Sequence, residues 1–483
     1  MGIAESKSEE LKVSLNLFTA YEKEQIKKIF AEISGGTEHF NEQQLKKYLS
    51  RYLPDILITR LYKAISELRH HKHAKHDHIS HDTFVVAMAH LLKSTITQRS
   101  RIVHCLASDE AGDMTAQQLV SFNLMLVEAY MKIAEESPQC KTWKISTSEE
   151  ANLKLAKALL RSTFNKELEA KPVVQTFESA ATVKVEGSAM DLVPEGVTYT
   201  EGDIETWLST AALFLHIMDH VMYTCFTVSY VEEGAAASFH SPKIPYAIDV
   251  NWSKTSTMLD IPSLLYINHV IPAEHRGKWR QLFYSDTHGE SFATLMKRIT
   301  KQGPTVIIIR DKDGYVFGGF ASTGWECRPQ FVGTSRCFLF HLLPHYAIYY
   351  ASGYNDHYMY LNQSQQTMPN GLGMGGQMEH FGLWLDCHYG QGYSYAKPLC
   401  TTYQSPQLSM KKDFEIDLLE VWGVGKKPGE ELGEDGPQEK QSILDVDPEA
   451  KAMLSLLGRG PVSEGLREAD PEASNPEEHN RNF

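Results

Sequence analysis

The sequence has little of what builds a disulfide scaffold or a zinc site. Seven cysteines are spread over 483 residues, at 105, 140, 225, 327, 337, 387 and 400, and no two form a CxxC pair. An odd, scattered set without a recognisable secretory leader reads as reduced cytosolic thiols, with no zinc expected. Long apolar runs are also missing. The best, residues 207–226, is broken by His216, Asp219 and His220, so it reads as a buried core helix and not a membrane span. Basic charge is in deficit, with 47 Lys and Arg against 61 Asp and Glu and a net charge of -14. That excludes sequence-independent nucleic-acid binding, which needs a basic face. It also sets the chain against anionic lipid unless another contact holds it there. Catalytic signatures are absent as well: there is no GxSxG elbow, no HExxH and no P-loop. The single GxGxxG, formed by Gly371, Gly373 and Gly376, follows Pro369-Asn370 and precedes a strand. A dinucleotide fingerprint needs a strand before it and a helix after it, so a glycine loop between strands is the better reading, and no cofactor is expected.

What is present suggests two to four domains with at least two cores, since hydrophobic content is 42% and charged content 22%. The first six residues, MGIAES, fit the signal for myristoylation of Gly2, which makes residues 1–15 a lipidated segment. One myristoyl chain binds membranes only weakly, with K on the order of 10⁴ M⁻¹. The neighbouring residues add no basic patch, so lasting attachment needs a protein contact too.

Residues 16–230 carry apolar positions at helical spacing, such as Ile26, Ile29, Phe30 and Ile33, in short helices joined by short loops. This repetition reads as EF-hand-like units. As calcium sites the loops are poor. In the best of them, residues 107–118, Gly112 sits at the sharp turn, but Ala107, Ala111 and Gln118 replace ligands. A structural scaffold is expected, with a calcium-responsive sensor as the alternative. Six histidines fall within residues 70–81, interspersed with Lys72 and Lys75, and read as a solvated linker.

From 244 to 425 the texture changes to short apolar runs separated by turns. Strands are expected at 305–310, 315–321, 337–341, 347–350, 381–386 and 418–423, with Asp311 to Gly314 as a hairpin turn. Helical character is expected at 272–282 and 291–301. Residues 426–446 read as a flexible linker. Residues 447–458 read as a short helix, capped by Asp447, begun by Pro448 and ended by Gly458. Its apolar side carries Met453, Leu454, Leu456 and Leu457, and at this length it must dock on something. Residues 459–483 read as a disordered acidic tail.

The segments FYSDTHGESF (283–292), FGGFAS (317–322) with Trp325, CFLF (337–340), GLGMGG (371–376), FGLWLD (381–386), CTTY (400–403) and EVWG (420–423) resemble the TLDc family, in family order. With MGIAES, the EF-hand-like half and ILDVDP (443–448), the likeness extends to lysosomal, mTOR-linked members of that family. The resemblance implies an α+β chain: an all-α EF-hand-like N-terminal half, a TLDc β-sandwich with flanking helices, and a short C-terminal helix. It implies a non-enzymatic adaptor on the cytoplasmic face of lysosomes. The implied partners are the catalytic head and peripheral stalk of the V-type proton ATPase, with mTOR and a central-stalk subunit as further ones. Loops around Gly371, Gly373, Gly375 and Gly376 and around Trp325 are the expected contacts of the domain, because exposed glycine lets a partner approach the backbone closely. Met453, Leu454, Leu456 and Leu457 are the expected second contact. Polar residues Asp286, His288, Glu290, Asp356, His357 and Glu420 are the ones that could converge. The family's link to oxidative stress makes a cysteine-based redox enzyme the alternative function.

Overall fold

The computed structural model describes residues 10–68, 78–108, 113–160, 196–228 and 242–429. Gly2, most of the histidine-rich run and the expected helix with Met453, Leu454, Leu456 and Leu457 lie outside the described residues.

The N-terminal half repeats one theme. Helix α1 (Ala20–Ser34), strand β1 (His39–Phe40) and helix α2 (Glu42–Leu49) form the first unit. Helix α3 (Asp55–Glu67), strand β2 (Ile79–Ser80) and helix α4 (His81–Leu92) form the second. Helix α5 (Ile96–Ala107), strand β3 (Met114–Thr115) and helix α6 (Ala116–Glu135) form the third. After α7 (Pro138–Lys141) and α8 (Glu149–Ala158), strand β4 (Thr198–Tyr199) and helix α9 (Glu201–Leu208) supply the fourth strand and its exit helix. The strands pair in twos: Phe40 opposes Ile79, and Met114 opposes Tyr199. Paired helix–strand–helix units of this kind are the EF-hand arrangement. Helix α10 (Ala212–Cys225) buries Phe214, Ile217, Met218, Val221 and Met222. No described helix is long and apolar enough to cross a membrane.

Three exit helices begin in capping boxes. Asn41, Thr115 and Thr200 are N-caps, and Gln44, Gln118 and Asp203 fold back onto the cap backbone as capping boxes. Gln118 Oε1 accepts from the Thr115 amide at 2.8 Å and from its hydroxyl at 3.1 Å. The twelfth loop residue, which in a calcium loop is a bidentate Glu, here satisfies a free helix-end amide.

The C-terminal half begins with β5 (Tyr246–Ile248), helix α11 (Ile261–Val270) and a 3₁₀ turn (Ala273–His275). Then come β6 (Lys278–Tyr284), α12 (Ser285–His288), α13 (Phe292–Ile299), β7 (Thr305–Asp311), β8 (Val316–Ala321) and β9 (Arg328–Val332). The last strands are β10 (Phe338–Leu343), β11 (Ala347–Tyr350), β12 (Met359–Asn362), β13 (Gly371–Gln377), β14 (His380–Asp386), β15 (Gln391–Tyr393) and β16 (Asp413–Val424). The expected strands are present, and so is the Asp311–Gly314 hairpin. The helix expected over 272–282 is not: it is the 3₁₀ turn followed by β6. Gly277 interrupts any helix there, and the side chains beyond it serve two different faces.

Twelve strands form one sheet folded on itself through β16. The first part of β16 pairs with β15, and the rest pairs with β7 and β6. Between the two leaves lie Ile307, Ile309, Phe317, Leu339 and Leu419 from one side and Leu361, Leu372, Met374, Leu383 and Leu385 from the other. The outer face of the first leaf carries Val306, Ile308, Phe320, Phe338, Phe340 and Trp422, which join the apolar cluster of the helical half. Strand β7 is therefore covered on both faces, which is why 306–309 reads as an unbroken apolar run.

Tryptophans close the seam between the halves. Trp143 lies 5.0 Å from Trp422, 5.9 Å from Trp252 and 6.3 Å from Trp279, ring centre to ring centre. The Trp143 indole donates to the Pro245 carbonyl at 2.8 Å, and the Trp252 indole donates to the Thr142 carbonyl at 2.9 Å. The described residues through Pro428 thus share one interior across the junction.

Candidate interaction surface

The glycines picked out by the sequence do not form an exposed loop. Gly371, Gly373, Gly375 and Gly376 are buried in β13. A Cβ on Gly371 would stand 2.5 Å from the Trp384 ring, and one on Gly373 would stand 2.5 Å from the Phe381 ring. The missing side chains make the seat on which two aromatics of β14 lie, their rings 4.5 Å apart. Tyr360 packs against both, and Phe331 extends the row to His357 at 4.3 Å. Trp325 is also fully buried, its indole donating to Thr305 Oγ1 at 2.8 Å. None of these five residues is presented at the surface.

Two of them, Gly375 and Gly376, lie under one end of the sandwich. Gly375 and Gly376 take positive φ of 72° and 80°, a turn that side-chain-bearing residues rarely adopt. There the Gly376 amide donates to Thr402 Oγ1 at 2.8 Å, and the Gly375 amide donates to the His357 carbonyl at 3.0 Å. His357 Nδ1 lies 2.6 Å from the Gly376 carbonyl, which it can only approach as a donor. The Thr402 hydroxyl donates onward to Asn355 Oδ1 at 2.7 Å, and the Ser352 amide donates to the Thr402 carbonyl at 2.7 Å. Loops 351–358 and 396–405 are thereby stitched together. At and beside them Tyr350, Tyr354 and Leu399 stand 62%, 79% and 45% exposed. Large apolar side chains on a hydrogen-bonded, pre-ordered base are what a protein contact uses.

The polar residues that could have converged do not form an acid–base pair. His288 Nδ1 accepts from the Tyr284 amide at 3.0 Å, while Asp286, Glu290 and Asp356 are exposed. Glu420 is fully buried and accepts from Thr257 Oγ1 at 3.0 Å and weakly from the Met258 amide. It pins the chain before α11 against the sheet, and burial pushes its carboxyl up to about 7. Burial also raises the thiols of Cys105, Cys140, Cys225, Cys387 and Cys400. A thiol held above its usual range is a poor nucleophile. Asp386, Cys387 and His388 are the one described group close enough together to ligate a metal. They are consecutive in a turn, and Asp386 Oδ1 already accepts from the His388 amide at 2.8 Å.

The chain matches the TLDc domain family over residues 252–425. It is 38% identical to the MTOR-associated protein MEAK7 of Gallus gallus, over 88% of this chain and 87% of that protein. To the MTOR-associated protein MEAK7 of Homo sapiens it is 35% identical, over 89% and 90%. Nuclear receptor coactivator 7 of Homo sapiens is 30% identical over 35% of this chain and 17% of its own length.

Proposed function

This chain belongs to the TLDc family, beside the MTOR-associated relatives, and we propose that it is a non-enzymatic adaptor linked to mTOR signalling at the lysosomal membrane. Its TLDc domain docks on the V-type proton ATPase, the helix around Met453 to Leu457 makes a second contact, and a myristoyl group on Gly2 adds weak lipid affinity. The observation that carries this reading is the end of the sandwich at 351–358 and 396–405. There a rigid base holds out Tyr354 and Leu399, while the polar residues nearby are spent on holding that base together. Two contacts joined by a tether raise each other's effective concentration, so each can be modest alone.

The redox alternative is disfavoured by the buried Cys140, Cys225 and Cys400, whose thiols burial raises and which leave Cys327 as the one exposed thiol, and the calcium alternative by the capping box that takes up Gln118.

The test is affinity purification from detergent-solubilised lysosomes. The full chain is compared with one ending at Gly425, with Gly2→Ala, and with the double variant Tyr354→Ala, Leu399→Ala. Recovery of ATPase head subunits by the full chain, reduced in the double variant and in the shortened chain, supports the adaptor. Absence of those subunits from every sample removes it.

A further inference from the structure

The 3₁₀ turn Ala273–His275 and the turn between β9 and β10 face each other across a cleft of about 360 Å³. Its walls are His275, Ser322, Thr334, Ser335 and Arg336, with Pro272 at the edge. Three hydroxyls, an imidazole and a guanidinium make a lining of donors. Two of the hydroxyls are organised: Ser322 and Thr334 share a hydrogen bond at 2.9 Å, and the Thr334 amide donates to Ser322 Oγ at 3.2 Å. Thr334 Oγ1 also accepts from the Arg336 amide at 3.3 Å. This fixes the turn while leaving Ser335 and the Arg336 side chain pointing outward and exposed. Arg336 already touches a carboxylate, that of Glu274, so the cleft tolerates an oxyanion beside its guanidinium. That pair is more than half exposed on both sides, so replacing Glu274 with another carboxylate costs little.

The same turn carries a second basic group. Arg276 follows His275 and donates from Nε to the Ile271 carbonyl. Burial, with Arg276 nearby as a lesser cause, disfavours the charged forms of Lys243 and His269. Neither Lys243 nor Arg276 forms an ion pair among the described residues, and both are half-buried. Glu274, which pairs with Arg336, also acts on Arg276, so one acid faces three cations there, a local positive excess in a chain of net charge -14.

We propose that this cleft and the Arg276–Lys243 ridge beside it are a docking site for an acidic segment of a partner protein. Carboxylate or phosphate oxygens would sit against Arg336, His275 and Ser335. A narrow acidic segment meets only this basic strip, whereas an anionic bilayer would also meet the acidic remainder of the chain. The site rests on the adaptor reading only in taking a protein as partner, and its chemistry differs from that of the Tyr354–Leu399 contact.

The test uses the full chain and a fluorescently labelled octaglutamate peptide, read by anisotropy at low and physiological salt. The expected result is binding that weakens with salt. The double variant Arg276→Ala, Arg336→Ala should reduce it about tenfold, a loss of about 1.4 kcal/mol. Ser335→Ala, which removes no charge, should weaken it by a smaller factor. The control Lys411→Ala, Lys412→Ala removes the same charge from an exposed loop elsewhere and should leave affinity unchanged. Circular dichroism of each variant verifies folding. Equal losses in the two double variants would show that net charge alone governs binding, and the site would be abandoned. So would absence of peptide binding, or binding to phosphatidylserine vesicles alone. No ATPase or mTOR is present in this assay, so its failure leaves the adaptor reading intact, and the lysosomal purification can fail without touching this site.

Discussion

At the scale of single residues, the glycines of β13 are the clearest case of a side chain that matters by its absence. Gly373→Ala would place a methyl 2.5 Å from the Phe381 ring. Overpacking of this kind costs about 1–3 kcal/mol. Gly277→Ala meets nothing within 4 Å and has no positive φ, so it should be nearly neutral. Urea denaturation of the two variants tests the contrast, and equal midpoints would refute it. Glu420 gives a second residue-scale expectation. Its folded carboxyl is raised to about 7, above the ordinary 4.5, so between those values the native state binds more protons than the unfolded one. Stability attributable to Glu420 is therefore fully present below about 4.5 and falls as pH rises through 7. Wild type should lose stability relative to Glu420→Gln across that window, and a wild type that gains stability relative to the variant as pH rises would contradict the burial argument. The sequence marks both positions, the glycines by an unusual spacing and Glu420 by its place in EVWG. It cannot say that the glycines seat aromatic rings, because Phe381 and Trp384 reach them only through strand pairing.

At the scale of elements, legibility follows periodicity. The run 306–309 announces a strand because it is apolar on both faces, and α1 announces a helix through Ile26, Ile29, Phe30 and Ile33. Helix α11 goes unannounced because it is buried nearly all round and lacks a polar face, although Asp260 and Ser263 form a capping box at its start. Strand β6 is misread as helix because a bulge breaks its alternation, so that Trp279 packs toward the helical half and Phe283, four residues on, into the sandwich. Strand β4 escapes notice for a different reason: only Thr198 and Tyr199 mark it, and its identity depends on the distant Met114. The capping boxes that these short strands lead into carry a prediction. Calorimetry of the full chain with calcium at about 10⁻⁵ M, the range of sensor sites, should show no binding heat. Saturable heat at that concentration would revive the sensor reading.

At the scale of the whole molecule, the tryptophan seam makes the halves interdependent. Trp143→Ala should cost about 3–5 kcal/mol, because it empties a site packed from both sides. Thermal unfolding followed by far-ultraviolet circular dichroism and by tryptophan fluorescence should give one coincident transition in the wild type. A fragment of residues 244–425 should expose Ile308, Phe320, Phe338, Phe340 and Trp422 and bind a hydrophobic dye strongly, unlike the full chain. A soluble, dye-silent fragment would show that the seam is dispensable. Strand β16 has a mechanical consequence as well. It is hydrogen-bonded on both sides, and the grip continues past its end: the Gly425 amide donates to the Lys278 carbonyl at 2.8 Å, and Arg280 donates to the Gly425 carbonyl. Tension arriving from the C-terminal tail along the strand direction would therefore load many bonds at once in shear, not one at a time in peeling. The tail is rooted in the strand best placed to withstand being pulled.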